Sequence, residues 1–209
     1  MKNDDDENTL MRVAEPIAEY IRTPRLYSYA DIRTFTDDLH REIIDGIMHV
    51  FAAPLRIHSW LSFNIGVKIK NLVTRRKGKC EIYHAPFDVR LPKNGETADE
   101  DIYTVVQPDI CVICDPNKLD DKGCIGAPDL IVEVLSPSTA KRDMNEKFSL
   151  YERSGVREYW VVFPGEKAVT VFLLQPDGKY DNGTTYQFEG KVPISIFNGF
   201  GIDLKEMFE

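Results

Sequence analysis

The sequence contains no apolar run that approaches the roughly 18 residues a membrane-spanning helix needs. Basic residues are also outnumbered: 26 Lys and Arg stand against 34 Asp and Glu, a formal net charge of −8. This balance argues against a histone-like or generally sticky nucleic-acid binder, because such proteins are basic overall. It leaves room for an enzyme that contacts nucleic acid through one local patch. The first ten residues, MKNDDDENTL, are acidic and polar, unlike a signal peptide, so we expect a cytoplasmic protein without a membrane anchor.

Cysteine is scarce, with four residues in the chain, namely Cys80, Cys111, Cys114 and Cys124. A chain of this size does not need a disulfide framework, so we expect four reduced thiols. Cys111 and Cys114 form a C-x-x-C pattern, but they lie in DICVICD, a segment that is typical of a strand. Residues three apart on a strand point to opposite faces, so this pair cannot share one metal ion. We interpret both as small buried side chains.

The length of 209 residues and the 43% hydrophobic content are typical of one globular domain with a sizeable core. We expect an acidic extension with a short helix over residues 1–25 and a single domain over residues 26–209. The apolar patterns alternate between strands and helices along the chain, which predicts an α/β or α+β fold with a mixed sheet flanked by helices. Asp45 and Gly46 stand between two apolar runs and predict a two-residue hairpin turn.

A strand, a helix and a second strand are predicted in succession after residue 128. The strand DLIVEVLSP is followed by STAKRDMNEKFSLYERSGV, which has the best helical pattern in the chain. Ser138 or Thr139 can cap the start of this helix, and Gly155 can end it. The helix leads into the strand REYWVVFP, so the three elements predict a right-handed crossover between parallel strands.

Two carboxylates fall inside apolar strands, where an unpaired charge is costly. Glu133 lies in the middle of DLIVEVLSP, and Asp109 lies in TVVQPDICVICD. Taken singly, Asp109 could cap a turn after Pro108, and Glu133 could pair with a buried Lys or Arg. Taken together on adjacent strands, with Glu42 in REIIDG, they favour a hard divalent cation such as Mg²⁺ or Mn²⁺ held by Asp109 and Glu133.

Several of these motifs occur in an order that resembles a known family. The run VVQPDICVI, then GAPDLIVEVLSPSTAKRDMNEKFSLYERSGVREYWVVFP, with REIIDG and APFDVRL upstream, is similar to the Uma-two family. Its members are restriction-endonuclease-like proteins of the PD-(D/E)XK nuclease superfamily. The resemblance covers roughly residues 28–205. It implies an α/β core around a mixed sheet and divalent-metal-dependent hydrolysis of phosphodiester bonds, with DNA as the expected partner.

The resemblance also implies roles for individual residues. The first superfamily acid matches Asp109, and the acid of the (D/E)XK element matches Glu133. The superfamily lysine would fall at position 135, where this sequence has Leu135. In the resembling family a lysine lies on the following helix instead, and Lys147 matches it. Glu42 matches an upstream acid that the family places near the site.

Two side chains near this motif have simpler interpretations as well. Asp143 and Lys147 are four residues apart on the predicted helix and could form an acid-to-base pair on a solvated face. His58 opens the long helix RIHSWLSFNIGVKIKNLVTRR and could approach the site, although a lone histidine is more often structural.

The densest basic segment is KIKNLVTRRKGK, which is the candidate DNA-binding surface in an otherwise acidic chain. Its cations are Lys68, Lys70, Arg75, Arg76, Lys77 and Lys79. The alternative is a solvated helix end, where cations are favoured by the helix dipole. Two further alternatives stay open for the whole protein: a catalytically inactive nuclease fold that binds nucleic acid or assembles, and a metal-binding scaffold or homodimer with no role on nucleic acid.

Overall fold

A computed structural model describes residues 25–37, 39–75, 79–136, 143–198 and 200–209. The expected acidic extension and its helix lie outside the described residues, apart from Arg25. The two candidate capping residues, Ser138 and Thr139, also lie outside them, as do Arg76 and Lys77. None of the helices within the described ranges is both long and apolar enough to cross a membrane.

The structure is a mixed α+β fold in which helices flank β-sheets, as the sequence predicts. The strands are β1 (His40–Ile44), β2 (Ile47–Phe51), β3 (Glu81–His84), β4 (Val89–Arg90), β5 (Val105–Val106), β6 (Ile110–Ile113), β7 (Leu119–Asp120), β8 (Gly123–Ile125), β9 (Leu130–Val134), β10 (Glu158–Phe163), β11 (Ala168–Leu173), β12 (Thr184–Gln187), β13 (Lys191–Pro193) and β14 (Gly201–Asp203). The helices are α1 (Tyr29–Ile32), α2 (Arg56–Arg75), α3 (Phe148–Ser154) and α4 (Leu204–Phe208).

The expectation of one mixed sheet is wrong in detail, because the strands form two larger sheets and a small one. The first has the order β2-β1-β5-β4-β8-β7, and the second has the order β12-β11-β10-β9-β6-β3. The third sheet pairs β13 with β14. The segment predicted as one strand, TVVQPDICVICD, is divided between the first two sheets. Gln107, Pro108 and Asp109 connect β5 to β6, and Pro108 has no N–H with which to continue a ladder.

This break places Asp109 immediately before β6 rather than within a strand. β6 runs antiparallel to β9 with Ile110 opposite Val132, so the next position in the register sets Asp109 opposite Glu133. The sequence-based expectation that the two carboxylates come from neighbouring strands therefore holds, although Asp109 does not alternate with its neighbours as a strand residue would.

The predicted strand–helix–strand unit is confirmed. β9 and β10 are parallel, with Glu133 opposite Val161. A π-helical turn over Asp143–Lys147 leads directly into α3. Gly155 ends that helix with a φ of 86°, a left-handed conformation that glycine adopts without strain.

The hairpin and the long helix also agree with the sequence. Asp45 and Gly46, with φ of 51° and 82°, join β1 to β2 in the positive-φ conformation that a two-residue hairpin turn requires. The apolar residues of α2 stand at helical spacing, which predicts one buried face of a helix over Leu61, Ile65, Ile69, Leu72 and Val73. Four of them are buried and Leu72 is partly buried. They pack with the face of β9 that carries Leu130, Val132 and Val134. The opposite face of β9, which includes Ile131, packs with α3.

The expectation of four reduced thiols is wrong, because Cys80 and Cys114 form a disulfide. β3 pairs with β6 so that Glu81 lies opposite Ile113, and Cys80 and Cys114 are the next residues on each side. The bond therefore links neighbouring strands 34 residues apart in sequence. Cys111 and Cys124 are free and buried. Cys111 and Cys114 pack into different core clusters, as expected for residues on opposite faces of a strand.

Thiol counting tests this pairing. Protein purified and unfolded without reductant should react with a thiol reagent at two sites per chain, because only Cys111 and Cys124 are free. Cys114→Ser should raise the count by one, since it releases Cys80, whereas Cys111→Ser should lower it by one. Four reactive thiols in the unreduced wild-type chain would contradict the disulfide.

Candidate active site

The ammonium of Lys147 lies between two buried carboxylates. Its Nζ is 2.9 Å from Oε1 of Glu42 and 2.9 Å from Oε1 of Glu133. Lys147 and Glu133 are each 4% exposed, and Glu42 is 1% exposed. Lys147, which the family resemblance assigns to the site, therefore lies within hydrogen-bonding reach of Glu133. The alternative in which Lys147 lies on a solvated helix face is wrong, because its side chain is buried.

Three separate elements bring these charges together. Glu42 is the central residue of β1, in the first sheet, and Glu133 lies in β9, in the second. Lys147 is the last residue of the π-helical turn before α3, which packs against the β9 face carrying Glu133. The sequence pattern could identify the carboxylates as buried, but the meeting of β1 with β9 depends on how the two sheets pack.

Tyr151 is a site residue that the sequence reasoning missed. Its hydroxyl donates to Oε1 of Glu133 at 2.6 Å, the oxygen that also accepts from Lys147. Burial, reinforced by the charge of Glu133, raises the pKa of Tyr151 well above its usual value, so the hydroxyl stays protonated as a donor at neutral pH. The available signal was spacing, because Lys147 and Tyr151 are four residues apart and share one helical face.

Asp109 lies beside Glu133 and is held by two groups. Its Oδ2 accepts the N–H of Val134 at 2.7 Å and lies 3.1 Å from Nε2 of His58. The expectation that His58 approaches the site is therefore confirmed as a contact. These partners fix the Asp109 carboxylate against β9 on one side and the start of α2 on the other.

Gln107 links Glu42 to a further carboxylate. Its backbone N–H donates to Oε1 of Glu42 at 2.9 Å, and its side-chain Nε2 donates to Oδ1 of Asp88 at 2.7 Å. The hydroxyl of Tyr29 donates to Oδ2 of Asp88 at 2.8 Å. Burial and this carboxylate raise the pKa of Tyr29 to about 12. Sequence reasoning missed Gln107 and Asp88, although both stand inside the motifs VVQPD and APFDVRL.

Several buried polar atoms of this cluster have no hydrogen-bond partner among the described residues: Oε2 of Glu42, Oε1 of Gln107 and Nε2 of His40. His40 lies on the same face of β1 as Glu42, and burial lowers its pKa, so the ring is neutral at pH 7. Buried polar atoms are rarely left unbonded, so we expect water or an ion to contact these three atoms.

The donor atoms of the cluster fit a hard divalent cation. Two carboxylates, Glu42 and Glu133, contact the ammonium of Lys147, and Asp109 lies opposite Glu133 in the strand register. Carboxylate oxygens are the ligands that Mg²⁺ and Mn²⁺ prefer. Within the described ranges no three His, Cys, Asp or Glu side chains already converge as a preformed metal site. The carboxylate oxygens thus suit a divalent metal. In this structure the ammonium of Lys147 provides the positive charge next to Glu42 and Glu133.

Four cations of the predicted basic segment lie within the described residues. Lys68 pairs with Glu206 of α4 at 3.2 Å, and Lys70, Arg75 and Lys79 are exposed. The segment therefore stays a prediction as a DNA-binding surface.

Comparisons with known proteins point to one family. A family model described as "Uma2: Putative restriction endonuclease" matches residues 24–205. A protein of Synechocystis sp. described as "Uncharacterized protein slr1290" is 28% identical over 165 residues, which cover 78% of this chain and 81% of that protein.

The fold has a solved counterpart. The crystal structure of "a putative nuclease belonging to DUF820 from Anabaena variabilis" superposes with a TM-score of 0.68 at 17% identity, covering 87% of this chain and 97% of that one. At this identity the likeness concerns the fold, and it agrees with the mixed α+β architecture described above.

The hydroxyl of Tyr151 can be tested by Tyr151→Phe. We expect the free energy of unfolding to fall by about 1.5–3 kcal/mol, the scale of a hydrogen bond to a charged group. Tyr180→Phe is the matched control, because that hydroxyl donates to the neutral carbonyl of Val156 and should contribute about 0.5–1.5 kcal/mol. Urea unfolding of both variants measures the difference. Equal losses would show that Tyr151 gives Glu133 no special support.

Proposed function

Since this chain belongs to the Uma2 family, we propose that it is a metal-dependent endonuclease that hydrolyses phosphodiester bonds in DNA. The observation that carries the proposal is the buried ammonium of Lys147, which contacts both Glu42 and Glu133 beside Asp109. It supplies the cation that the motif lacks at Leu135, in contact with two of the three carboxylates that the family resemblance assigns to the site.

Stability alone is a weak reason for such a cluster. Removing charges from water costs several kcal/mol per ion, and a buried ion pair is often no more stabilising than apolar residues of the same size. Here two carboxylates contact one ammonium in the protein interior. Buried clusters of ionisable groups are common where a site binds a cation or a reacting group.

The metal proposed for this site is Mg²⁺ or Mn²⁺. Asp109 and Glu133 would hold it, with Glu42 contributing directly or through water. When bound, such an ion polarises a phosphate oxygen and lowers the pKa of coordinated water.

The remaining groups orient and stabilise. Lys147 would donate a hydrogen bond to the attacking water or to the charge that develops on the phosphate. The hydroxyl of Tyr151 orients the carboxylate of Glu133, and the backbone N–H of Val134 orients that of Asp109. Hydrogen bonds of this kind commonly fix the orientation of metal ligands in proteins. His58 holds Asp109 from the other side.

Metal binding can be measured without activity. Mn²⁺ should raise the melting temperature, because an ion that binds only the folded state stabilises it by about 2.7 kcal/mol at one hundred times its dissociation constant. Glu133→Gln should abolish this rise. Glu158→Gln is the control, because Glu158 is equally buried but bonds Trp160 and Ser195 away from the cluster. Calorimetry that detects no binding up to millimolar Mn²⁺ would refute the shared metal site.

Lys147→Met tests the lysine. Removing the ammonium leaves two buried carboxylates without their cation, so we expect a loss of about 3–5 kcal/mol in stability, the scale for breaking a buried pair. Mn²⁺-dependent nicking of plasmid DNA, assayed well below the melting temperature, should fall by about 100-fold or more, the scale of one lost transition-state donor.

The matched control for Lys147→Met is Arg90→Met. Arg90 is a buried cation too, but it bonds Asp120 and the carbonyl of Cys124. That variant should lose stability while it keeps activity below its melting temperature. Equal activity losses in the two variants would indicate a structural role for Lys147 and favour the inactive-nuclease alternative.

A further inference from the structure

The exposed face of α2 carries an apolar row with a cation at each end. Arg56, Trp60, Phe63, Val67 and Lys70 follow one another at helical spacing, and all five are exposed. Phe63 is 66% exposed and Trp60 is 36% exposed. Large aromatic side chains that are left in solvent beside one another commonly mark a binding surface.

The charge of α2 is the opposite of the charge of the chain. Its 20 residues include four cations, Arg56, Lys68, Lys70 and Arg75, and no Asp or Glu, while the whole chain has a formal charge of −8. Lys68 pairs with Glu206, but Arg56, Lys70 and Arg75 are exposed. A partner of this face is therefore expected to be anionic and also to offer flat apolar groups.

The face lies on the opposite side of α2 from the candidate site. His58, in the first turn of α2, lies 3.1 Å from Asp109, whereas Trp60, two residues later, is about 200° further round the helix. From Arg56 to Lys70 the helix rises about 21 Å, enough to follow a few nucleotides.

We propose that this face of α2 binds the unpaired bases of a single-stranded nucleic acid segment. Bases would stack on Trp60 and Phe63, and the backbone phosphates would contact Arg56 and Lys70. Single-stranded nucleic acid combines the two features that the face demands, since it is a polyanion and its bases expose flat apolar surfaces. The inference goes beyond the proposed function, because it assigns a nucleic-acid surface outside the candidate site.

A second copy of this chain fits the face less well. In an antiparallel pairing of two α2 helices centred on Phe63, Arg56 faces Lys70 of the other copy. Whichever residue lies on the two-fold axis, α2 offers no carboxylate to pair with these cations. Like charges held opposite one another in an interface weaken it.

The chain carries its own reporter for this test. It has two tryptophans, Trp60 on the exposed face and Trp160, which is 0% exposed. Titration with a 12-nucleotide thymidine strand in buffer with EDTA, where no metal-dependent cleavage occurs, should quench Trp60 fluorescence. The wild-type chain should bind this strand about tenfold more tightly than an abasic strand of equal length, because base stacking contributes on this scale while the phosphates are the same.

Variants separate stacking from charge. Phe63→Ala should reduce the preference for the thymidine strand over the abasic strand to about twofold or less, while its binding of the abasic strand stays unchanged. Phe188→Ala is the matched control, since Phe188 is also an exposed phenylalanine but lies outside α2. Trp60→Phe should remove the fluorescence change and keep the preference for the thymidine strand over the abasic strand. This result would assign the fluorescence change to Trp60 rather than Trp160.

Three results would overturn the inference: equal affinity for thymidine and abasic strands, tighter binding of a 12-base-pair duplex with no change in Trp60 fluorescence, or sedimentation showing a dimer that Phe63→Ala dissociates. The proposed nuclease can fail separately. If the chain binds the thymidine strand but does not nick plasmid DNA with Mn²⁺, only the proposed nuclease activity is refuted. If it nicks DNA but binds thymidine and abasic strands equally, only this inference is refuted.

Discussion

The buried ammonium of Lys147 is the interaction on which the candidate site depends. Glu42 and Glu133 come from different sheets, and their carboxylates could not remain charged next to each other in the interior without a cation. Lys147 is 105 residues from Glu42 and 14 from Glu133 in sequence. The contact therefore requires that β1, β9 and the start of α3 are all in place, and it links the organisation of the site to the folding of both sheets.

The rest of the cluster is held largely by the backbone. The N–H of Val134 fixes Asp109, and the N–H of Gln107 fixes Glu42. Both donors lie where regular strand pairing ends or changes sheets, so N–H groups that a longer ladder would use are available to side chains. The break at Pro108 thus has a consequence for chemistry, because it releases Gln107 and Asp109 from the ladder and leaves them to organise the site.

Local patterns in the sequence were enough for much of the fold. The hairpin at Asp45 and Gly46, the buried stripe of α2 and the crossover that ends at Gly155 each depend on residues close in sequence, and all three are confirmed. The burial of Glu133 followed from strand alternation. The division of the strands into two sheets did not, because it depends on which edges pair at long range. The disulfide between Cys80 and Cys114 was missed for the same reason, since it depends on the register of β3 against β6.

The site constrains where the ammonium lies and not which position in the sequence carries the lysine. A side chain at position 135 lies on the same face of the sheet as Glu133, about 6.6 Å further along the strand. Leu135 packs there against the apolar cluster that includes Ile131 and Tyr151. A lysine on the covering helix instead approaches Glu133 from above the sheet, where its ammonium reaches Glu42 as well. The physical requirement is for an ammonium at hydrogen-bonding distance from both carboxylates. Lys147 satisfies it from the helical side, so position 135 can hold an apolar side chain that packs in the core.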